Sequence, residues 1–285
     1  MHIIRFTKFW ASMTVQQMGE RARMLGYDGL DLAVRDGHAI NLSNVGTALG
    51  SALRQWGDMG LRCSLISAGP DLTDANVARP LFEAAAKAGV NNIKIGYFTY
   101  EPGADFERVW ANAREALGEF AALSHDTGVR AIFHTHSGLC LGSNCAGLRH
   151  LLEGFSPEHL GAYVDIGHLA VNGEDVRMGL PMIRPYLAAI GAKDARHQLD
   201  ERAQRPARYT DAFVLLGEGA AQVHDTMALL KTWHFDGPIS IHTEYTSDPD
   251  VIATVGGKDD SEEAQALRIR GERHDLTVLR ALLAS

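Results

Sequence analysis

The chain has 285 residues, 46% apolar and 22% charged, which is enough to bury one large core; a single α/β barrel of about 250 residues with an extension fits that length. Its net charge of −8 argues against nucleic acid or an anionic membrane as the main partner, since both are bound chiefly through excess Lys and Arg. Apolar runs fall far short of the roughly 20 residues of a membrane span, and the start Met1-His2-Ile3-Ile4-Arg5-Phe6 reads as a strand rather than a signal peptide, so a soluble, cytoplasmic protein with a small-molecule partner is expected.

Short apolar runs alternate with helical patterns along the whole chain. Strands are predicted near 2–7, 28–34, 61–66, 92–97, 129–134, 160–165, 187–193 and 238–243. Helices open at cap residues and close on glycine: Thr14 to Gly26, Asp74 to Gly89, Asp105 to Gly128. A glycine followed within two residues by a strand recurs at Gly26, Gly60, Gly89, Gly128 and Gly237, each reading as a helix end turning into the next strand. Repeated βα units with no break in composition predict one domain over residues 1–285, a closed (β/α)8 TIM barrel. A doubly wound open sheet is the alternative, but the G-x-G-x-x-G phosphate turn it needs after an early strand is missing. Two connections are long: Asp194 to Gly219, with Arg196, Arg202, Arg205 and Arg208, and Thr246 to Asp260. Both read as lids or mobile loops on the carboxyl-end face, the arginines as solvated residues or as contacts to an anionic group of a substrate. The segment from Ser261 to Leu283 carries leucines at helical spacing and reads as the eighth amphipathic helix.

Polar groups cluster at strand ends. Asp165 ends the run Ala162-Tyr163-Val164-Asp165, with Ile166-Gly167-His168 after it; His134 and His136, Lys193 and Asp194, and His242 and Glu244 end three others. A buried carboxylate at the end of a parallel strand is costly unless positive charge meets it, and a metal ion held by carboxylates and imidazoles is one source. Because side chains alternate, His134 and His136 share a face, as do His242 and Glu244. Backbone amides accepting the Asp165 charge and ordinary core histidines are the competing explanation, weaker for four strand ends together than for any one. Cys63, Cys140 and Cys145 are too few and too odd for a disulfide framework. Cys140 and Cys145 near His136 raise a Cys/His metal cluster, although two thiols without a second pair more often sit in plain loops.

The segments Phe6-Thr7-Lys8, Gly26-Tyr27-Asp28-Gly29-Leu30-Asp31-Leu32 with Val34-Arg35 and Gly37-His38, His136-Ser137-Gly138, Asp165-Ile166-Gly167-His168, Lys193-Asp194, Leu216-Gly217-Glu218-Gly219 and Gly237-Pro238-Ile239-Ser240-Ile241-His242-Thr243-Glu244-Tyr245 occur in this order on the predicted strands. With them the sequence resembles the sugar phosphate isomerase/epimerase-like proteins, the xylose-isomerase-like TIM barrels that also include AP endonuclease IV, inosose dehydratase and the ketose 3-epimerases. The resemblance implies a divalent-metal site at the barrel mouth, formed in better-known members by Glu, Asp, His and Glu from strands five to eight. Asp165 matches the Asp. His134 stands where the strand-five Glu is expected, Gly191 where the strand-seven His is, and His242 where the strand-eight Glu is, with Glu244 one same-face step further out. Either the site is re-registered onto His136, Asp165, His242 and Glu244, or the metal is lost; more imidazole and less carboxylate would favour Zn²⁺, Mn²⁺ or Co²⁺ over Mg²⁺.

The activity the resemblance implies is a sugar or sugar-phosphate isomerase or epimerase, moving a proton between carbons beside a carbonyl. Glu244 is the expected base, with His242 in reserve, and Lys193 and His168 polarise oxygens. Lys8, Asp31, Arg35, His38, Lys94, His134 and Asp194 are expected around the substrate, orienting hydroxyls or an anionic group. Lys193 with Asp194 also reads as an ordinary ion pair. A keto-sugar or inosose lyase on the same site, and a sugar-binding barrel without catalysis, are the alternatives. AP endonuclease activity fits worst, because the chain lacks a basic DNA track. Assembly into a homo-oligomer is left open.

Overall fold

The computed structural model describes residues 1–199, 209–245 and 262–285. Its strands are β1 (His2–Phe6), β2 (Gly29–Val34), β3 (Arg62–Ala68), β4 (Asn92–Lys94), β5 (Arg130–His134), β6 (Leu160–Asp165), β7 (Leu187–Ala192), β8 (Asp194–Leu199), β9 (Tyr209–Val214) and β10 (Pro238–Ile241). Parallel pairing closes eight of them into a barrel in the order β1, β10, β7, β6, β5, β4, β3, β2, so the expected TIM barrel is what the chain forms and the open sheet is excluded. The apolar runs become strands because both of their faces are covered: every residue of β2 and of β6 is buried.

Helices α1 (Val15–Leu25), α2 (Val45–Asp58), α3 (Ala75–Ala88) and α4 (Phe106–Thr127) surround the first half, and α5 (Cys145–Leu152), α6 (Ile166–Val171), α7 (Val176–Ile183), α8 (Val223–Thr232) and α9 (Glu262–Ala284) the second. Thr14 caps α1 in a reciprocal box with Gln17, and Asp74 and Asp105 cap α3 and α4 through side-chain bonds to backbone amides. Gly26, Gly89 and Gly128 close α1, α3 and α4 at φ of 89°, 77° and 70°, a left-handed conformation that only glycine adopts without cost. Helix α9 is clamped across the start of the barrel by Arg5 of β1. The buried guanidinium donates to Glu272 at 2.7 Å and to Thr243 at 2.6 Å and lies 5.0 Å from the Trp10 ring.

Ile4, Leu65, Ile132, Tyr163, Ala188 and Ala189 form a small buried cluster separate from the large core between strands and helices; it packs the barrel interior. Two residues further along their strands, on the same face, stand Phe6, Ser67, His134 and Asp165. The polar mouth is thus the next layer of the interior packing.

The connection from Asp194 is not a plain loop. Residues Asp194 to Leu199 pair antiparallel with Tyr209 to Val214, Asp194 opposite Val214 and Leu199 opposite Tyr209. Only Ala195, Ala212 and Val214 of this hairpin are fully buried apolar side chains, so little period-two signal announces it. Arg196 is on its exposed part, whereas Arg202, Arg205, Arg208 and the stretch Thr246 to Asp260 lie outside the described residues. Cys63, Cys140 and Cys145 are free, and among the described residues no helix is long and apolar enough to cross a membrane.

Candidate active site

A cleft of about 570 Å³, counted to its open mouth, sits at the carboxyl ends of the strands; its wall includes Lys8, Arg35, Lys94, His134, His136, His168, Lys193, His242 and Glu244. Residues from β1 at one end of the sequence and from β10 at the other therefore meet in one space. Asp165 lies just behind the wall, fully buried, in contact with four of its neighbours.

Lys193 occupies the centre. Its ammonium lies 2.8 Å from His168 Nε2, 3.1 Å from Glu244 Oε2 and 3.4 Å from Asp165 Oδ2, with the Phe213 ring of β9 4.0 Å away. Since the ammonium only donates, His168 Nε2 must accept, which leaves its Nδ1–H for Ser137 Oγ at 2.9 Å. Burial, reinforced by Lys193, holds His168 well below the usual histidine range and hence neutral. Burial alone would raise the Asp165 and Glu244 carboxyls. Lys193 overrides it at Asp165, and Lys193 with Lys8, 2.8 Å from Glu244 Oε1, overrides it at Glu244, so both are held well below the usual carboxylate range.

Behind Lys193 runs a second network. Asp165 Oδ2 faces His242 Nδ1 at 3.0 Å and His134 Nε2 at 3.5 Å. The Tyr163 hydroxyl donates to Asp31 Oδ2 at 3.0 Å and lies 2.6 Å from His242 Nε2. With that proton committed to Asp31, His242 Nε2–H donates to the tyrosine oxygen. His134 is also neutral, burial pushing it down to about 3 against the pull of Asp165. His134, Asp165 and His242 each offer one donor atom, all within 4.8 Å of one another and all buried, and Asp165 Oδ2 has no hydrogen-bond partner. Two imidazoles and a carboxylate so spaced fit one divalent ion with bonds of about 2 Å.

This cluster differs from the expected donor set. His134 joins Asp165 and His242, and His136 and Glu244 do not. Strand β5 ends at His134; His136, one same-face step further out, donates Nδ1–H to the Ser137 carbonyl at 2.8 Å and stacks on His168 at 4.0 Å between ring centres. Both oxygens of Glu244 are taken by lysines. Cys140 Sγ is 3.8 Å from His136 Nδ1 but belongs to no donor cluster among the described residues, and Cys145 is buried in α5. Gly191 lies opposite Asp165 in the β6–β7 register, where a Cβ would come within 3.1 Å of the Asp165 backbone and of Oδ2; any side chain there would displace the carboxylate.

Three expected substrate contacts lie elsewhere. Asp194 anchors a turn: its Oδ1 accepts from the amides of Ala195 and Ala221 and its Oδ2 from those of Gly217 and Gly219, at 2.8–3.0 Å, leaving no oxygen for a ligand. Asp31 is a layer deeper, held by Tyr163 and Ser240, and burial raises its carboxyl above the usual range. His38 sits in the turn after β2, outside the cleft wall. Conversely, Tyr163 and Tyr97, whose hydroxyl is 3.2 Å from His134 Nδ1, hold the two imidazoles and were not foreseen. The only trace of Tyr163 in the sequence is its position two before Asp165, hence on the same face.

The profile of the family described as xylose isomerase-like TIM barrel matches residues 20–269. No curated protein matches the chain in sequence. Among solved structures, a D-psicose 3-epimerase from Clostridium cellulolyticum H10 shares 13% identity with a TM-score of 0.73, 99% of each chain being covered. A 3-keto-D-glucoside 4-epimerase from E. coli shares 15% with a TM-score of 0.70, again over 99% of each. A xylose isomerase-like TIM barrel protein from Mycobacterium smegmatis, solved in complex with magnesium, shares 14% with a TM-score of 0.68 over 99% of this chain and 98% of its own. At such identities the likeness is one of fold.

Proposed function

Because the chain belongs to the xylose isomerase-like TIM barrel family, we propose that it is a sugar isomerase or epimerase that transfers a proton on a carbon next to a carbonyl. The carrying observation is Lys193, buried between Asp165, Glu244 and His168 in a cleft that also presents an unengaged base. That base is His136. Its Nδ1–H is spent on Ser137, and Nε2, the lone-pair nitrogen, has no partner among the described residues. Glu244 is the second proton carrier. Its charge is balanced by Lys8 and Lys193, so it is the weaker base and accepts a proton once a substrate oxygen draws one lysine away.

His136 and Glu244 follow strand ends separated by β6 and β7, so they reach a bound sugar from different sides. His136 removes the carbon-bound proton to a planar enediolate, and Glu244, having taken up a proton from solvent, gives it to the opposite face, which inverts the centre; delivery to the neighbouring carbonyl carbon, with the hydroxyl proton passing to the former carbonyl oxygen, isomerises the sugar instead. Lys193 donates to the carbonyl oxygen as charge develops there. A divalent ion held by His134, Asp165 and His242 would add Lewis-acid polarisation of that oxygen, and the two imidazoles favour Zn²⁺, Mn²⁺ or Co²⁺ over Mg²⁺.

The test is incubation with a panel of ketoses, aldoses, inososes and their phosphates and acids in D₂O, with each metal supplied, followed by mass and position of label. One deuterium beside the carbonyl with no other change in mass is expected. Loss of water would assign a lyase instead, and saturable binding without exchange or product would assign a sugar-binding barrel.

A further inference from the structure

The β2–β4 side of the cleft is built differently from the side just described. Lys94, at the end of β4, is 2% exposed and lines the cleft, yet among the described residues Nζ has neither a hydrogen-bond nor an ion-pair partner; it rests 3.8 Å from the centre of the Tyr97 ring. Arg35, just past β2, lines the same wall, and its buried Nε is also unpartnered among the described residues, the guanidinium lying 5.4 Å from the Phe6 ring. Asp31, a buried carboxylate whose charge favours both cations, gives Oδ2 to Tyr163 and Ser240 and forms an ion pair with neither, its Oδ1 having no hydrogen bond among the described residues. By contrast Arg5 and Lys193, the other deeply buried cations considered above, each have a carboxylate within 3.1 Å.

A buried cation without a counter-ion is among the most costly arrangements in a folded chain. Two side by side also repel, and burial together with Arg35 pushes the Lys94 amine well below its usual range. An oxyanion seated between them would relieve both costs. Ser67 of β3 joins the cleft wall between these two strands, its hydroxyl turned to Asp31.

We propose that Arg35 and Lys94 form a subsite for a terminal oxyanion, carboxylate or phosphate, so that the substrate is an acidic or phosphorylated keto sugar rather than a neutral one. This rests on the isomerase reading for the sugar part only; the oxyanion subsite stands on the two unpaired cations. Around the barrel β3 lies opposite β7, so the oxyanion would be held across the cleft from Lys193, with the carbon skeleton spanning the space between.

Thermal shift and calorimetry with inorganic phosphate, a neutral ketose, its terminal phosphate and the matching keto acid test this in the wild type, Arg35→Gln and Lys94→Met. The charged ligands and phosphate should raise the wild-type Tm, and the tighter of phosphate ester and acid identifies the group. Lys94→Met should itself melt about 3 °C higher than wild type, having lost an unpaired buried amine, yet bind the charged sugar at least about tenfold more weakly, as should Arg35→Gln. A neutral ketose binding and exchanging deuterium as well as its charged analogues would overturn the subsite and leave the isomerase reading intact. Charged sugars that bind through Arg35 and Lys94 without any exchange would support the subsite and overturn the isomerase reading. Phosphate stabilising all three proteins equally would overturn the subsite.

Discussion

The two sides of the barrel mouth solve the problem of buried charge in opposite ways. Between β5 and β10 the charged groups face opposite charges of the chain itself, Asp165 and Glu244 meeting Lys193 and Glu244 also Lys8, while three imidazoles have serine, tyrosine or lysine partners and Asp165 Oδ2 lacks a hydrogen bond among the described residues. Between β2 and β4, Lys94 Nζ and Arg35 Nε have no hydrogen bond, and neither side chain an ion pair, among the described residues. A satisfied network is rigid and holds proton carriers in set states; an unsatisfied pair is a vacancy for charge brought by a ligand. The difference teaches that the half where chemistry occurs is preorganised by the chain, whereas the other half is completed by what binds.

Substitution should expose the contrast as opposite signs. Lys193→Met strips the buried Asp165 carboxylate of its cation and leaves the half-buried Glu244 with Lys8 alone, and should cost about 3 kcal/mol in chemical denaturation, the lower end for breaking a buried pair. Lys94→Met should gain about 1 kcal/mol. Equal and small effects at both would erase the distinction. Asp275 of α9 offers a control away from both sides. It accepts from the Leu216 amide and the Tyr245 hydroxyl, and burial pushes it up to about 7. Since its folded value is raised, its contribution to stability is fully present below about pH 4 and is lost as pH climbs toward 7, while the unfolded carboxyl ionises first; the total is up to about 4 kcal/mol. Stability of Asp275→Asn relative to wild type should therefore improve over that window and level off above it, with activity unaffected. A gap that is flat with pH would contradict the burial assigned to this carboxyl.

Much of the scaffold was legible because parallel strands and their helices announce themselves locally. The apolar runs, the caps at Thr14, Asp74 and Asp105 and the closing glycines all fell where the chain uses them. Strand β4 is shorter than its apolar run because Gly96 and Tyr97 bond instead to the carbonyls of Leu72 and Pro70. The convergence of Asp165, His242, Lys193 and Glu244 was visible from period-two alternation at strand ends. Which same-face histidine enters the donor group was not, since that depends on how far β5 rises before it leaves the barrel. Nor could the sequence show that Asp194 is consumed by backbone amides more than twenty residues away, at Gly217, Gly219 and Ala221. Lys94 was among the residues expected around the substrate; its lack of a partner among the described residues is a property of the closed barrel.

The division of labour is tested most directly by the steady-state kinetics of deuterium exchange, with whichever keto sugar the wild type labels, in Lys94→Met and Lys193→Met. The account predicts that Lys94→Met raises KM at least about tenfold with kcat nearly unchanged, while Lys193→Met lowers kcat by about 10²-fold or more. A kcat loss in Lys94→Met as large as that in Lys193→Met, or exchange by Lys193→Met at the wild-type rate, would contradict it.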